Sequence, residues 1–188
     1  KIFDLQDYSN KQIIGELPYL INAWQAKDQP IDFRSENYTS MNYGGIVYMK
    51  SAIAIDYLRS YLGTDVFDDC MHSYYKMWKF KHPSPNDLKE IFEMKTKKDL
   101  TWFFENMIKT TNQLDYSIEY IDKITPKKDK YENIKISLKN NGKINGPLVI
   151  CGVKDNIPGE EIWIEGFSDK KEIIYQNNEY DHIRIDYH

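Results

Sequence analysis

Cysteine is nearly absent, glycine and proline are sparse, and no apolar run is long. The two cysteines, Cys70 and Cys151, fall in segments that read as a helix and a strand, without the spacing of a disulfide framework. Two buried free thiols are therefore expected, and they leave the redox compartment open. No stretch of about 18 consecutive apolar residues occurs, which excludes a membrane-spanning helix. The opening residues, KIFDLQDYSN, have neither the basic start nor the apolar stretch of a signal peptide. A soluble chain is expected, with cytoplasmic and exported settings both open. Positive charge is scarce as well: 25 Lys and Arg against 29 Asp and Glu give a net charge of -4, with no basic concentration. Phosphate-backbone binding needs such a concentration, so nucleic acid is not an expected partner.

The sequence also lacks the motifs of several chemistries. Its four histidines (His72, His82, His182, His188) form no His-Glu-x-x-His. His72 and His82 are separated by a helix end, and His182 and His188, which could share a strand face, lack a third ligand. The chain by itself is not expected to bind a metal. No glycine-rich phosphate loop, nucleophile elbow or Cys/His dyad is present.

What is present is enough apolar content, 41% of 188 residues, for one medium domain or two small ones. Up to about Thr111 the periodicity is helical; beyond it, short alternating runs are broken by Asn, Gly and Pro. The expected fold class is α+β in two domains: an all-α helical lobe over 1–111 and a small antiparallel β-sandwich of immunoglobulin or fibronectin type over 112–188. In the first part, NKQIIGELPYLINAWQAK has helical spacing, with Pro18 expected to kink or interrupt it. DQPIDFRSENYTSMN reads as a polar connector. In NYGGIVYMKSAIAIDYLRSYLG, Tyr48, Ala52, Ile55, Leu58 and Leu62 recur at three- and four-residue steps and predict one buried face, with Gly63 as the stop. TDVFDDCMHSYYKMWKF predicts a further helix ending before KHPSP. Ser84 caps the next start, with Pro85 at its first position. A last helix, KKDLTWFFENMIK, is expected to place Leu100, Phe103, Phe104 and Met107 on one side. From Leu114 onward, six or seven strands are expected, among them the runs through Tyr116–Tyr120 and Ile134–Leu138.

Two conspicuous runs have plain explanations. The aromatics Tyr74, Tyr75, Trp78 and Phe80 stand at helical spacing and are expected in core or interdomain packing. TPKKDKYE reads as a solvated turn between strands. With 15 tyrosines in the chain, composition alone also makes Tyr43 and Tyr48 packing residues.

The motifs in order say more. YGGIVYMKSAIAIDYLRSYLG, then VFDDCMHSYYKMWKFKHPSPNDLKEIFE, then KKDLTWFFENMI, together resemble the C-terminal half of the catalytic domain in the aminopeptidase N family of gluzincin zinc metallopeptidases. In that family a Tyr-x-Lys-Gly-like helix start supplies a phenol, a later helix ends at an aromatic-His-Pro-like turn, and a Trp-Phe-Phe helix closes the domain. The resemblance runs from about Trp24 to Asp115 and is strongest over Tyr43–Met107. The trailing strands are similar to the β-sandwich that follows in the same family.

The resemblance implies that Tyr48 is a catalytic residue, the tyrosine whose hydroxyl donates to the oxyanion of the tetrahedral intermediate. It implies a second, less defined site tyrosine at Tyr43. Ser51 stands where the family commonly has Gly, a small-for-small departure. The physics is consistent with this role: a fixed neutral donor strengthens as charge develops on oxygen.

Zinc is the implied cofactor of the full-length protein, held by ligands upstream of this chain. The implied partners are a peptide substrate and the upstream half of the catalytic domain. Without that half the chain is expected to be inactive. The rival expectation is a non-catalytic relative that serves as a scaffold or partner-binding module, distinguished by the absence of an upstream HExxH. A third, an unrelated helical domain with a sandwich, requires Tyr48 to be buried away from any cleft.

Overall fold

The structure, a computed structural model, describes residues 17–124, 132–177 and 180–185. Its contacts divide the chain into two units, Lys1–Thr111 and Asn112–His188.

The first unit is helical: α1 (Leu17–Trp24), α2 (Ser40–Gly44), a π-helical turn (Gly45–Lys50), α3 (Ser51–Leu62), α4 (Thr64–Trp78), α5 (Pro85–Thr96) and a second π-helical turn (Trp102–Met107). Local chemistry sets the boundaries. Gly63, at φ 81°, takes the left-handed conformation that separates α3 from α4 in a single residue. Ser84 opens α5 with a capping box, its backbone N–H donating to the Asp87 carboxylate at 2.7 Å and its hydroxyl accepting from the Asp87 N–H at 3.4 Å. Pro85 occupies the first turn, where no N–H is needed, and Lys97 at φ 57° ends the helix. The expected roles of Gly63, Ser84 and Pro85 are thus observed.

Edge-to-face aromatics tie the lobe together. Phe67 meets Phe92 at 5.5 Å, Phe92 meets Phe104 at 6.4 Å, and Phe104 meets Phe103 at 5.0 Å between ring centroids. Each such pair contributes about 0.5–1.5 kcal/mol beyond its buried area. Leu58, Cys70 and Leu100 are fully buried in the same unit.

Three expectations need correction here. The inward face before and along α3 is Ile46, Lys50, Ala54, Leu58, Tyr61 and Leu62, whereas Tyr48 is 62% exposed, Ala52 is exposed and Ile55 is half-buried. The true stripe includes a lysine, and a π-helical turn precedes α3, so an apolar count at α-helical spacing picks the wrong start. In the last helical segment Leu100, Phe103 and Phe104 are buried as expected, but Met107 is only half-buried and Trp102 turns inward. The segment is wound as a π-helical turn, its Ile108 N–H reaching back five residues to the Phe103 carbonyl at 2.9 Å. Finally, Tyr75 and Phe80 are not core: they are 64% and 98% exposed. The buried residues of α4 are Phe67 and Cys70, so α4 places Tyr75 on another side, and Phe80 lies past the helix end at φ 65°.

The second unit carries six described strands: β1 (Tyr116–Ile124), β2 (Glu132–Asn140), β3 (Leu148–Lys154), β4 (Ile157–Ile164), β5 (Lys170–Asn177) and β6 (His182–Ile185). They form two antiparallel sheets of three strands, ordered β1-β2-β5 and β4-β3-β6. The chain is therefore α+β. Alternation on β2 turns Ile134, Ile136 and Leu138 inward, where they join Leu148 and Ile150 of β3, Tyr116, Ile164 and Tyr175 in one hydrophobic cluster drawn from both sheets. The β3–β4 hairpin turns on Asp155 and Asn156, at φ 51° and 62°, the two left-handed residues that a tight hairpin of this hand requires. Opposite Gly152, β4 carries an extra residue at a bulge, and the Gly152 N–H donates instead to the Tyr175 hydroxyl at 2.9 Å. Of the segment TPKKDKYE, all but Glu132 lies outside the described residues. Both cysteines are free and buried, and burial pushes their thiols up, so neither is a ready nucleophile.

Candidate active site

The site expected from Tyr43 and Tyr48 is built on the continuous run α2, π-helical turn, α3. Thr39 starts it, its hydroxyl accepting from the Asn42 N–H at 3.3 Å. Tyr43, 43% exposed, stands on α2 with its ring edge-on to Tyr38 at 6.1 Å. Tyr38 is itself fixed: its ring meets Phe33 at 5.5 Å, and its hydroxyl is shared between the Pro30 carbonyl at 2.9 Å and the Ile31 carbonyl at 2.7 Å. Tyr43 is thereby anchored. Tyr48, in the π-helical turn, differs. Its ring and hydroxyl have no partner among the described residues.

Gly44 and Gly45 flank these tyrosines in ordinary helical conformation, and a Cβ on either would meet no atom within 4 Å. Nothing in the fold requires glycine there, so the bare backbone leaves an open flank beside both phenols.

A buried polar network, with no motif in the sequence to mark it, joins this run to Lys27–Gln29. The Lys50 ammonium, its side chain 7% exposed, donates to Asp28 Oδ2 at 2.7 Å and to the Gln29 carbonyl at 3.0 Å. The other carboxylate oxygen of Asp28 accepts from the Gln29 N–H at 2.8 Å. Asn42 donates to the Lys27 carbonyl at 2.6 Å and to Gln29 Oε1 at 3.0 Å. That same Oε1 accepts from the Thr39 N–H at 3.1 Å. Ser51, the residue that departs from the family pattern, donates its hydroxyl to the Ile46 carbonyl at 3.0 Å and so bonds within the π-helical turn. Burial, reinforced by the Asp28 charge, pushes the phenol of Tyr19 well up, and burial is the leading cause of the rise at Tyr38, so both stay neutral.

A signal for Lys50 did exist. It sits four residues after Ile46 and four before Ala54, on the buried stripe, and a charged side chain there calls for a buried counter-charge. The partner was hidden in KDQP, which reads as connector.

Against known proteins, residues 19–107 match the model described as the peptidase family M1 domain. That segment belongs to peptidase family M1. The M1 segment contains Tyr43, Tyr48, Lys50, Asp28 and the aromatic interior, and it spans the region of strongest family resemblance. Among solved structures, the chain is similar to Legionella pneumophila aminopeptidase A, crystallised in complex with aspartic acid, at a TM-score of 0.52 and 16% sequence identity. The match covers 74% of this chain and 16% of that one, so the chain spans a small part of the relative's length. At that identity the likeness is one of fold. No curated protein sequence matches significantly.

The M1 family is zinc-dependent, yet the described residues do not fit a zinc ion: none of their His, Cys, Asp and Glu side chains form a group of three able to hold a metal. No helix among the described residues is long and apolar enough to cross a membrane.

Proposed function

We propose that this chain is the C-terminal part of a zinc aminopeptidase-type protein, in which residues 1–111 form the second half of the catalytic domain and 112–188 a following fibronectin- or immunoglobulin-like β-sandwich. In the intact protein the reaction is hydrolysis of an N-terminal peptide bond, and Tyr48 supplies the hydrogen bond to the oxyanion. The metal ligands, the activation of water and the recognition of the substrate amine belong to residues outside this chain. Alone, the chain is inactive.

One observation carries the reading: Tyr48 lies in an M1 segment, is 62% exposed, and its hydroxyl has no partner among the described residues. A donor for a transient oxyanion must be free in the resting protein and rigid at its base. Tyr48 meets the first condition, and the network under Lys50 meets the second. π-Helical turns are frequent at functional sites, because the extra residue re-aims one side chain while the helix continues. Tyr43, locked against Tyr38, acts as a wall of the same site.

As water adds to the carbonyl, negative charge grows on oxygen, and the phenol O–H donates to it more strongly than to the neutral amide. Removing such a donor typically lowers kcat by about 10²–10³. The test is Tyr48→Phe in the intact protein, assayed on a panel of aminoacyl p-nitroanilides. A loss of that size in kcat with little change in KM is expected. Unchanged kcat in a protein that hydrolyses the panel removes Tyr48 from the mechanism. A protein that hydrolyses no member of the panel is the scaffold that the rival reading describes.

A further inference from the structure

An oxyanion donor must be held to within a fraction of an ångström, and among the described residues nothing at the tip of the Tyr48 hydroxyl holds it. Its precision has to come from the backbone that carries it. That backbone is the π-helical turn Gly45–Lys50, which begins at Gly45 directly after Gly44, two glycines that lend it no side-chain packing.

The turn is clamped at both ends, and both clamps reach the same short stretch, Lys27–Gln29. Just before it, Asn42 is 5% exposed and donates to the Lys27 carbonyl and the Gln29 side chain at 2.6 and 3.0 Å. At its end, Lys50 donates to Asp28 and the Gln29 carbonyl at 2.7 and 3.0 Å. Tyr48 lies between the clamps, two residues before Lys50. Its side chain faces out where Lys50 faces in.

We propose that Lys50, through its buried pair with Asp28, is a positioning residue for the reaction: it fixes the winding of the π-helical turn and with it the aim of the Tyr48 hydroxyl. The inference rests on the reading of Tyr48 as oxyanion donor. A buried ion pair is poor evidence of stabilisation, since two well-packed apolar residues often do as well. What a pair adds is direction. Two of the ammonium's three N–H groups point at fixed acceptors, which sets where residue 50 sits and which way the turn before it is wound. An apolar residue at 50 would fill the space without choosing that geometry.

The experiment is a double-mutant cycle in the intact protein, read as kcat and KM on the aminoacyl p-nitroanilide it hydrolyses best. Lys50→Met is made alone and in the Tyr48→Phe background. Alone, it is expected to lower kcat about 10- to 100-fold, as a misplaced reacting group does, with KM within about twofold. In the Tyr48→Phe background it is expected to change kcat less than about twofold, since no donor is left to misplace. Equal losses in both backgrounds, or a change confined to KM, overturn the proposal and leave Lys50 a structural residue only. Should Lys50→Met fail to fold, Lys50→Met/Asp28→Leu, which buries no unpaired charge, is put through the same cycle under the same criteria. If Tyr48→Phe by itself leaves kcat unchanged, the donor reading is what fails, and this proposal falls with it.

Discussion

Asp28→Leu is the perturbation whose cost the structure defines most closely. In the wild-type protein the Lys50 ammonium and the Asp28 carboxylate, with side chains 7% and 10% exposed, lie 2.7 Å apart, and each has one further bond to Gln29 backbone. Substituting leucine leaves a buried ammonium with the Gln29 carbonyl as its remaining acceptor. Breaking a buried pair from one side typically costs about 3–5 kcal/mol, because the surviving charge is uncompensated. Lys50→Met strands the carboxylate in the same way. The double variant strands no charge; it loses only the two bonds to Gln29, and a cost of about 1–3 kcal/mol is expected, far below the sum of the singles. Hydrogen exchange read by mass spectrometry on peptides from residues 42–62 of the intact protein measures this locally. At about 1.4 kcal/mol per tenfold, each single variant should speed exchange by roughly two to three and a half orders of magnitude. A single-variant cost under about 1 kcal/mol would show that the pair behaves like an exposed one. Additive single costs would show that the partners are not coupled, and either result refutes the argument.

Other expectations follow from the same geometry. A Cβ built on Gly152 falls 2.0–2.5 Å from the ring of Tyr180, and Gly152 sits at ordinary negative φ, so the cost of Gly152→Ala is steric: about 1–3 kcal/mol of stability lost in thermal unfolding, but little further loss in a Tyr180→Ala background. Acid should destabilise both units. Hydrogen bonds to Lys95 at Asp69, Ser84 at Asp87, Thr101 at Asp99, Lys109 at Glu105, Lys170 at Glu119 and Lys135 at Glu172 hold these carboxyls below their usual range. Carboxylates depressed on folding contribute stability above their unfolded pKa values, about 3.9 and 4.3. That stability is lost as pH falls through the lower folded values. Urea midpoints should decline as pH drops below about 4, and midpoints that rise over that interval would contradict the assignment.

Much of the fold was legible because its punctuation is local. Gly63, Ser84 and Pro85 act on their own neighbours, and alternation on β2 follows from a two-residue period, so these features are visible without tertiary knowledge. What was not legible depends on partners distant in sequence. Lys50 is buried only because Asp28, 22 residues earlier, comes to meet it, and that exchange leaves Tyr48 facing solvent. The π-helical turns at Gly45–Lys50 and Trp102–Met107 were not legible either, since no spacing rule built on 3.6 residues anticipates them. Tyr75 and Phe80 misled for the opposite reason, since helical spacing gives a period but not which side is covered. At the site, family resemblance pointed to Tyr48, and the sequence had no way to show how that residue is supported.

As the proposed oxyanion donor, Tyr48 has to bind the transition state more tightly than the substrate. This is tested most directly by measuring how a phosphinic peptide, which mimics the tetrahedral intermediate, and a simple substrate-like amide bind to the intact protein and its Tyr48→Phe variant. The variant is expected to lose about 10²–10³ in affinity for the phosphinic peptide and almost nothing for the amide. Equal losses for both ligands, or none for either, would contradict it.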